Sequence, residues 1–198
     1  MIEIYLFIHP LGQLCYEAEC KLLDFIYQDS HKIHLQILPL VNLMTNTSVM
    51  KRAGYDASNL ACRNAFLMQS YEAALDYKAA QLQGKKYARN FLLQLQTALL
   101  KQHLPYSKQL TEQLFKQTGG DLEMFREDRQ STLIKEMFWQ DQCTAREMNI
   151  QQQTSAVIYN HDTQNVGLLL QGIDELQWIP NLCHTNQSAT ITLLENHS

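Results

Sequence analysis

Proline and glycine are scarce in this chain, with four and seven residues among 198. That scarcity excludes collagen-like, linker-like and disordered classes, which need far more of both. A basic excess is missing too. Sixteen basic residues against twenty acidic ones leave a net charge of −4 at pH 7, which is the wrong sign for a nucleic-acid binder. No apolar run approaches the roughly 18 residues of a membrane span. The opening MIEIYLFIHPLG has no basic region before its apolar residues and no small-residue cleavage site. It predicts a buried strand rather than a signal peptide. These readings point to a soluble, cytoplasmic protein with no membrane or nucleic-acid partner. With 45% hydrophobic residues, the length suits one domain with a real core, or one domain carrying a large insertion.

Paired cysteine spacings are absent as well. The five cysteines stand at 15, 20, 62, 143 and 183, and neither CxxC nor CxxH occurs. Cys15 and Cys20 would lie about 140° apart around a helix, so they share neither a metal nor a disulfide. The expectation is five reduced thiols, no structural metal and no cofactor.

What is present is a clear change of period along the chain. Residues 2–8 form a short apolar run rich in β-branched and aromatic side chains, closed by His9-Pro10, which reads as a central strand. Leu14, Ala18, Leu22, Phe25 and Ile26 then recur at helical spacing over residues 13–28. A second strand is predicted at 33–39. Strand, helix and strand make one βαβ unit with a right-handed crossover. From about residue 56 to 147 there is a single proline, Pro105, amid Leu, Ala, Gln, Lys and Glu, all good helix formers. Four helices are predicted: 57–83, stopped at Gly84; 85–102; one capped by Ser107 and ended by Gly119-Gly120; and one from Asp121 to 147, with a break near Gln130. Strands return at 155–159 and 166–170 around a polar hairpin turn at 160–165. A last helix is predicted at 173–179, followed by Pro180, and an edge strand at 189–194. Tyr5, Phe7, Phe66, Phe91, Phe115 and Phe138 fall on apolar patterns and are expected in the core. Trp139 and Trp178 read either as core or as interface anchors.

The order β-α-β, helical block, β-β-α is that of a thioredoxin-like α/β fold with the helical insertion of DsbA-like oxidoreductases. The segments IEIYLFIHPLGQLC, AAQLQGKKYARNFLLQLQTAL, GGDLEMFREDRQS and REMNIQQQTSAVIYN resemble, in order and spacing, the SpxH (YjbH) family of DsbA-like ClpXP adaptors. The resemblance covers residues 2 to about 172. It implies a thioredoxin-like domain made of 1–55 and 148–198, an inserted helical subdomain at 56–147, and two partners: an Spx-type transcription regulator and the ClpXP protease.

Departures from that family decide the chemistry. Its first strand leads into a loop of the form Asp-Pro-Leu-Cys-Pro-x-Cys. Aligned on Pro10 and Cys15, the nucleophilic cysteine of the family falls on Gly12, its proline on Gln13 and its resolving cysteine on Cys15, while His9 replaces the aspartate. The nucleophile of such proteins sits at a helix N-terminus, where free amides favour the thiolate. Gly12 offers only a cap. The family's cis-proline position falls on Thr154, or on Ser155 with a one-residue slip. Neither is proline, and a cis bond there would cost about 3–4 kcal/mol, so a trans loop is expected. His9 is read as a capping or solvated histidine, or a group that tunes Cys15.

Two function classes stay open on the residues. One is an adaptor on a thioredoxin-like scaffold whose redox site has decayed. The other is a one-cysteine thiol enzyme, a DsbA-like isomerase or glutathione-dependent transferase, using Cys15. The first is preferred, because dithiol turnover needs attacking and resolving thiols together.

Overall fold

The computed structural model describes residues 1–161 and 166–184. Strand β1 (Ile2–Ile8), helix α1 (Gln13–Gln28) and strand β2 (Ile33–Pro39) form the expected βαβ unit. Five helices separate this unit from the rest of the sheet: α3 (Leu60–Leu82), α4 (Lys85–Gln96), α5 (Lys108–Gln117), α6 (Leu122–Gln130) and α7 (Thr132–Glu147). A sixth, α2 (Leu43–Arg52), comes before them. Strands β3 (Ser155–Asn160) and β4 (Leu168–Gln171) and two short helices, α8 (Gly172–Leu176) and α9 (Ile179–His184), complete the described chain.

The four strands share one sheet in the order β2-β1-β3-β4. β1 runs parallel to β2, from Ile2 opposite Ile33 to Ile8 opposite Pro39. It runs antiparallel to β3, with Phe7 opposite Ser155, and β3 pairs antiparallel with β4. Because alternate strand residues face opposite ways, β1 divides its side chains between two cores. Ile2, Ile4, Leu6 and Ile8 join a large cluster with Leu22 of α1 and Phe91 of α4. Phe7 faces the other side, with Leu38, Val157 and Ala145 of α7.

The helical block is punctuated much as its sequence predicts. Ser107 accepts a hydrogen bond from the Leu110 amide, and Asp121 accepts from those of Glu123 and Met124. The expected break falls at Ser131, between α6 and α7. Phe115 stacks on Phe125 with centroids 4.2 Å apart, and Phe91 meets both. Lys78 of α3 and Asp141 of α7 form a buried ion pair, and the Tyr77 hydroxyl donates to the Ile37 carbonyl of β2 at 3.3 Å. Of the two tryptophans, Trp139 is exposed beneath the Arg146 guanidinium.

Several expectations need correction. Helix α2 was not foreseen. The second predicted helix ends as a π-helical turn at Thr97–Lys101. Strand β4 starts two residues late, because its pairing is fixed by Ser155 opposite Gln171. The helix predicted at 173–179 is split into α8 and α9, and Pro180 lies in the first turn of α9, where its missing N–H would have had no helical acceptor. Most of the hairpin turn at 160–165 and the strand expected at 189–194 lie outside the described residues. Among the described residues no helix is long and apolar enough to cross a membrane.

Candidate functional site

Sheet register builds the site. β1 and β3 are antiparallel, so the loop leaving β1 and the loop entering β3 reach the same edge of the sheet. That brings Cys15 against Thr154 and sets Gly12 and Gln13 in the same groove, while His9 and Pro10 lead into the first loop and Ser155 opens β3. Helix α2 and the π-helical turn close the sides. The result is a groove of about 390 Å³ with Gly12, Leu14, Arg52, Leu100, Gln153 and Asp174 among its walls.

Cys15 lies at its floor, only 1% exposed. Its Sγ accepts from the His9 backbone N–H at 3.2 Å and lies 3.1 Å from Thr154 Oγ1. Burial drives the thiol pKa up to about 11, against the opposing pull of the Thr154 and His9 hydrogen bonds. At neutral pH the sulfur is therefore a protonated thiol, which is not the nucleophilic form.

Gly12 caps α1 with φ −92° and ψ 119°, an ordinary extended conformation. What favours glycine there is contact. A Cβ at position 12 would come within 2.9 Å of Cys15 Sγ and 3.1 Å of the His9 carbonyl oxygen. Gln13 follows, its side chain bonded to Glu17 at 2.7 Å.

His9 corrects the expectation of a solvated histidine: it is fully buried. Its ring stacks on Phe66, and its Nδ1 accepts from the Leu11 backbone N–H at 3.2 Å. Burial lowers its pKa to about 4, so the ring is neutral. It does not cap α1, whose N-cap is Gly12 with no side-chain cap bond; its hydrogen bond with Leu11 stays within the loop.

Thr154 has φ 41°, a left-handed conformation that β-branched residues rarely adopt. Two contacts hold it there: its Oγ1 beside Cys15 Sγ, and its carbonyl accepting from the Gly172 N–H at 2.8 Å. No described peptide bond is cis, so this loop is trans. Ser155 Oγ donates to the Gln152 carbonyl at 2.9 Å.

Beneath the floor, one turn on from Cys15, Glu19 is fully buried and accepts from Gln96 Nε2 at 2.7 Å. Burial raises its pKa to about 8. Sequence reasoning missed Glu19, as it missed Arg52 and the rest of the α2 wall. A signal for α2 did exist. Asn42 and Thr45 form a reciprocal capping box, a recognisable helix start. A second cavity, about 240 Å³, lies in the helical block among Glu72, Asp76, Tyr106, Glu112, Arg126 and Arg129. Its arginines are paired to its own carboxylates, which gives it a structural reading.

A family model described as thioredoxin matches residues 5–181. The ClpXP adapter protein SpxH of Staphylococcus saprophyticus is 27% identical over 172 residues, 87% of this chain and 61% of that protein. The SpxH of Staphylococcus aureus is 28% identical over 174 residues, 87% of this chain and 59% of that one. The chain thus spans about three fifths of the length of these curated relatives. Among solved structures, the cytosolic disulfide reductase DsbM of Pseudomonas aeruginosa superposes with a TM-score of 0.64 at 11% identity, covering 98% of each chain. DsbA of Xylella fastidiosa superposes at 0.61 and 12% identity, covering 91% of this chain and 82% of that one. At such identities these two establish the fold alone, which is thioredoxin-like with DsbA-like neighbours.

Proposed function

The chain belongs to the thioredoxin family, and from that premise we propose that it is a binding adaptor that presents an Spx-type regulator to the ClpXP protease. On this reading it runs no dithiol–disulfide cycle. The observation that carries it is the floor of the groove. A glycine stands where a nucleophile would meet the first amides of α1, and the remaining thiol, Cys15, is buried and protonated. Such a thiol neither attacks a disulfide readily nor has a partner to resolve one. The likeness to the SpxH adapters supports the choice of partners. An adaptor needs a shaped surface rather than turnover, and the groove between α1, α2 and the Thr154 loop supplies one. The work belongs in the cytoplasm, where the five free cysteines stay reduced.

The test mixes the purified chain with the Spx-like protein of its own organism, measures binding by calorimetry, and times Spx degradation by ClpXP. A complex and faster degradation, both retained in Cys15→Ser and weakened in Arg52→Glu on the groove wall, are the expected results. No complex and no acceleration would refute the adaptor reading. Insulin reduction that disappears in Cys15→Ser would establish the thiol enzyme instead.

A further inference from the structure

Away from the groove, three potential metal ligands from two distant parts of the chain converge. Asp29 is the residue that ends α1. His31 lies two residues on, in the turn before β2, and His184 is the last residue of α9. The carboxylate of Asp29 sits at the centre. Its Oδ1 accepts from the His31 backbone N–H and lies 2.7 Å from His31 Nδ1. Its Oδ2 lies 2.7 Å from His184 Nε2. The Asp29 side chain is 3% exposed, whereas both imidazoles are about half exposed, at 49% and 47%. The two rings lie 4.9 Å apart, centre to centre. Among the described residues no lysine or arginine pairs with this carboxylate.

We propose that Asp29, His31 and His184 form a three-ligand site for a divalent transition-metal ion of the zinc class. One donor atom from each residue lies within 4.8 Å of the others. Around a tetrahedral ion with bonds of about 2.1 Å, ligand atoms lie roughly 3.4 Å apart, so closure asks for movements of about an ångström from two exposed rings. The donor set narrows the ion to a divalent transition metal, zinc and ferrous iron included. Two imidazoles and one carboxylate suit zinc, nickel or copper and disfavour magnesium or calcium, which want oxygen ligands. Three protein ligands leave a fourth position to water. Cys183 is buried beside His184 but is not part of the converging set. The bound ion would clasp α9 to the turn between α1 and β2, joining segments more than 150 residues apart. Without it the two histidines only hydrogen-bond Asp29 and pack ring against ring, and that is the competing outcome.

The experiment titrates zinc into the full chain after chelator treatment, by calorimetry, alongside His31→Ala and His184→Ala. His103→Asn, at an exposed histidine elsewhere, is the control. Circular dichroism checks that each variant folds. The expected result is one equivalent of zinc with micromolar or tighter affinity, unchanged in His103→Asn and weakened at least about tenfold in each site variant. Zinc should raise the melting temperature of the parent and not of the site variants. Cobalt at the same site should show no thiolate charge-transfer band, which separates it from binding by the free cysteines. No zinc binding, or equal binding by the parent and both site variants, overturns the proposal. So does a thiolate band.

Discussion

Replacing Gly12 by cysteine tests whether contact alone keeps a second thiol out of this site. The backbone at position 12 is extended and accepts any L-residue, so the effect is one of contact. In Gly12→Ala the new Cβ would stand 2.9 Å from Cys15 Sγ and 3.1 Å from the His9 carbonyl oxygen, an overpacking that costs about 1–3 kcal/mol. In Gly12→Cys the same closeness becomes useful on oxidation. A bonded S–S distance of about 2.05 Å places the Cβ of one cysteine about 3 Å from the sulfur of the other. Closing the four-residue loop adds about 2 kcal/mol in the chain-entropy account. The oxidised variant should therefore exceed its own reduced form by about 2 kcal/mol in urea denaturation, and a graded dithiothreitol series should reveal a reversible two-electron couple. The parent should show no such couple involving Cys15. A Gly12→Cys protein that forms only mixed disulfides with glutathione, or a Gly12→Ala protein as stable as the parent, would refute the contact argument.

Glu19→Gln tests the buried carboxylate. Burial raises the folded pKa from 4.5 to about 8, so the folded protein holds a proton that the unfolded chain releases. The stability tied to this group is fully present below pH 4.5 and is lost as pH rises through about 8. The variant should gain on the order of 3 kcal/mol over the parent at pH 7.5 and under about 1 kcal/mol at pH 5; an equal gap at both pH values in urea denaturation would contradict the assignment. For Cys15, the rise from 9.0 to about 11 leaves roughly 100-fold less thiolate at pH 7 than an unperturbed thiol has. Iodoacetamide followed by peptide mass mapping should label Cys62 and Cys143 well before Cys15, and the opposite order would defeat the claim of a buried, protonated thiol. Gly120→Ala would drive a Cβ to 2.5 Å from the Phe115 ring, costing about 1–3 kcal/mol and lowering the melting temperature by several degrees. Asn42→Ala removes half of the α2 capping box; a loss of about 1 kcal/mol is expected, and an unchanged denaturation midpoint would show that the cap contributes nothing.

The elements that could be read from the sequence are those whose signal is local. β1, α1 and β2 announce themselves because two short apolar runs flank a stretch with a period of 3.6 within forty residues. The breaks at Gly84, Ser107 and Asp121 are written in caps and glycines that act within one turn. Helix α2 escaped because its apolar residues do not form a stripe. Leu43 and Met44 point to solvent, while polar Thr45 and Asn46 are buried. Asn46 accepts from the Ser70 hydroxyl of α3, a partner that no window on residues 43–52 contains. Strand β4 was misplaced for the same reason. Its start is set by pairing with β3, and an apolar run cannot report where its partner ends.

The groove divides along similar lines. That Gly12, Cys15 and Thr154 meet follows from two antiparallel strands and was readable once the strand order was known. Their charge states were not readable. His9 is neutral because burial disfavours its charged form, and part of that cover is Phe66, fifty-seven residues away, stacked on its ring. Glu19 is held by Gln96, seventy-seven residues away. Together these place a neutral imidazole, a protonated thiol and a largely protonated carboxyl at and beneath the floor at pH 7. A thiol enzyme needs the reverse, an exposed sulfur at the first amides of a helix where negative charge is favoured. Here the position facing those amides has no side chain, and the sulfur lies one turn in, covered by Thr154. On the adaptor proposal, a floor without charge would select its partner by shape, backbone hydrogen bonds and apolar contact, leaving Arg52 and Asp174 on the groove walls to set its orientation. Removing the Cys15 thiol should therefore leave binding nearly intact, whereas reversing the charge of Arg52 should not.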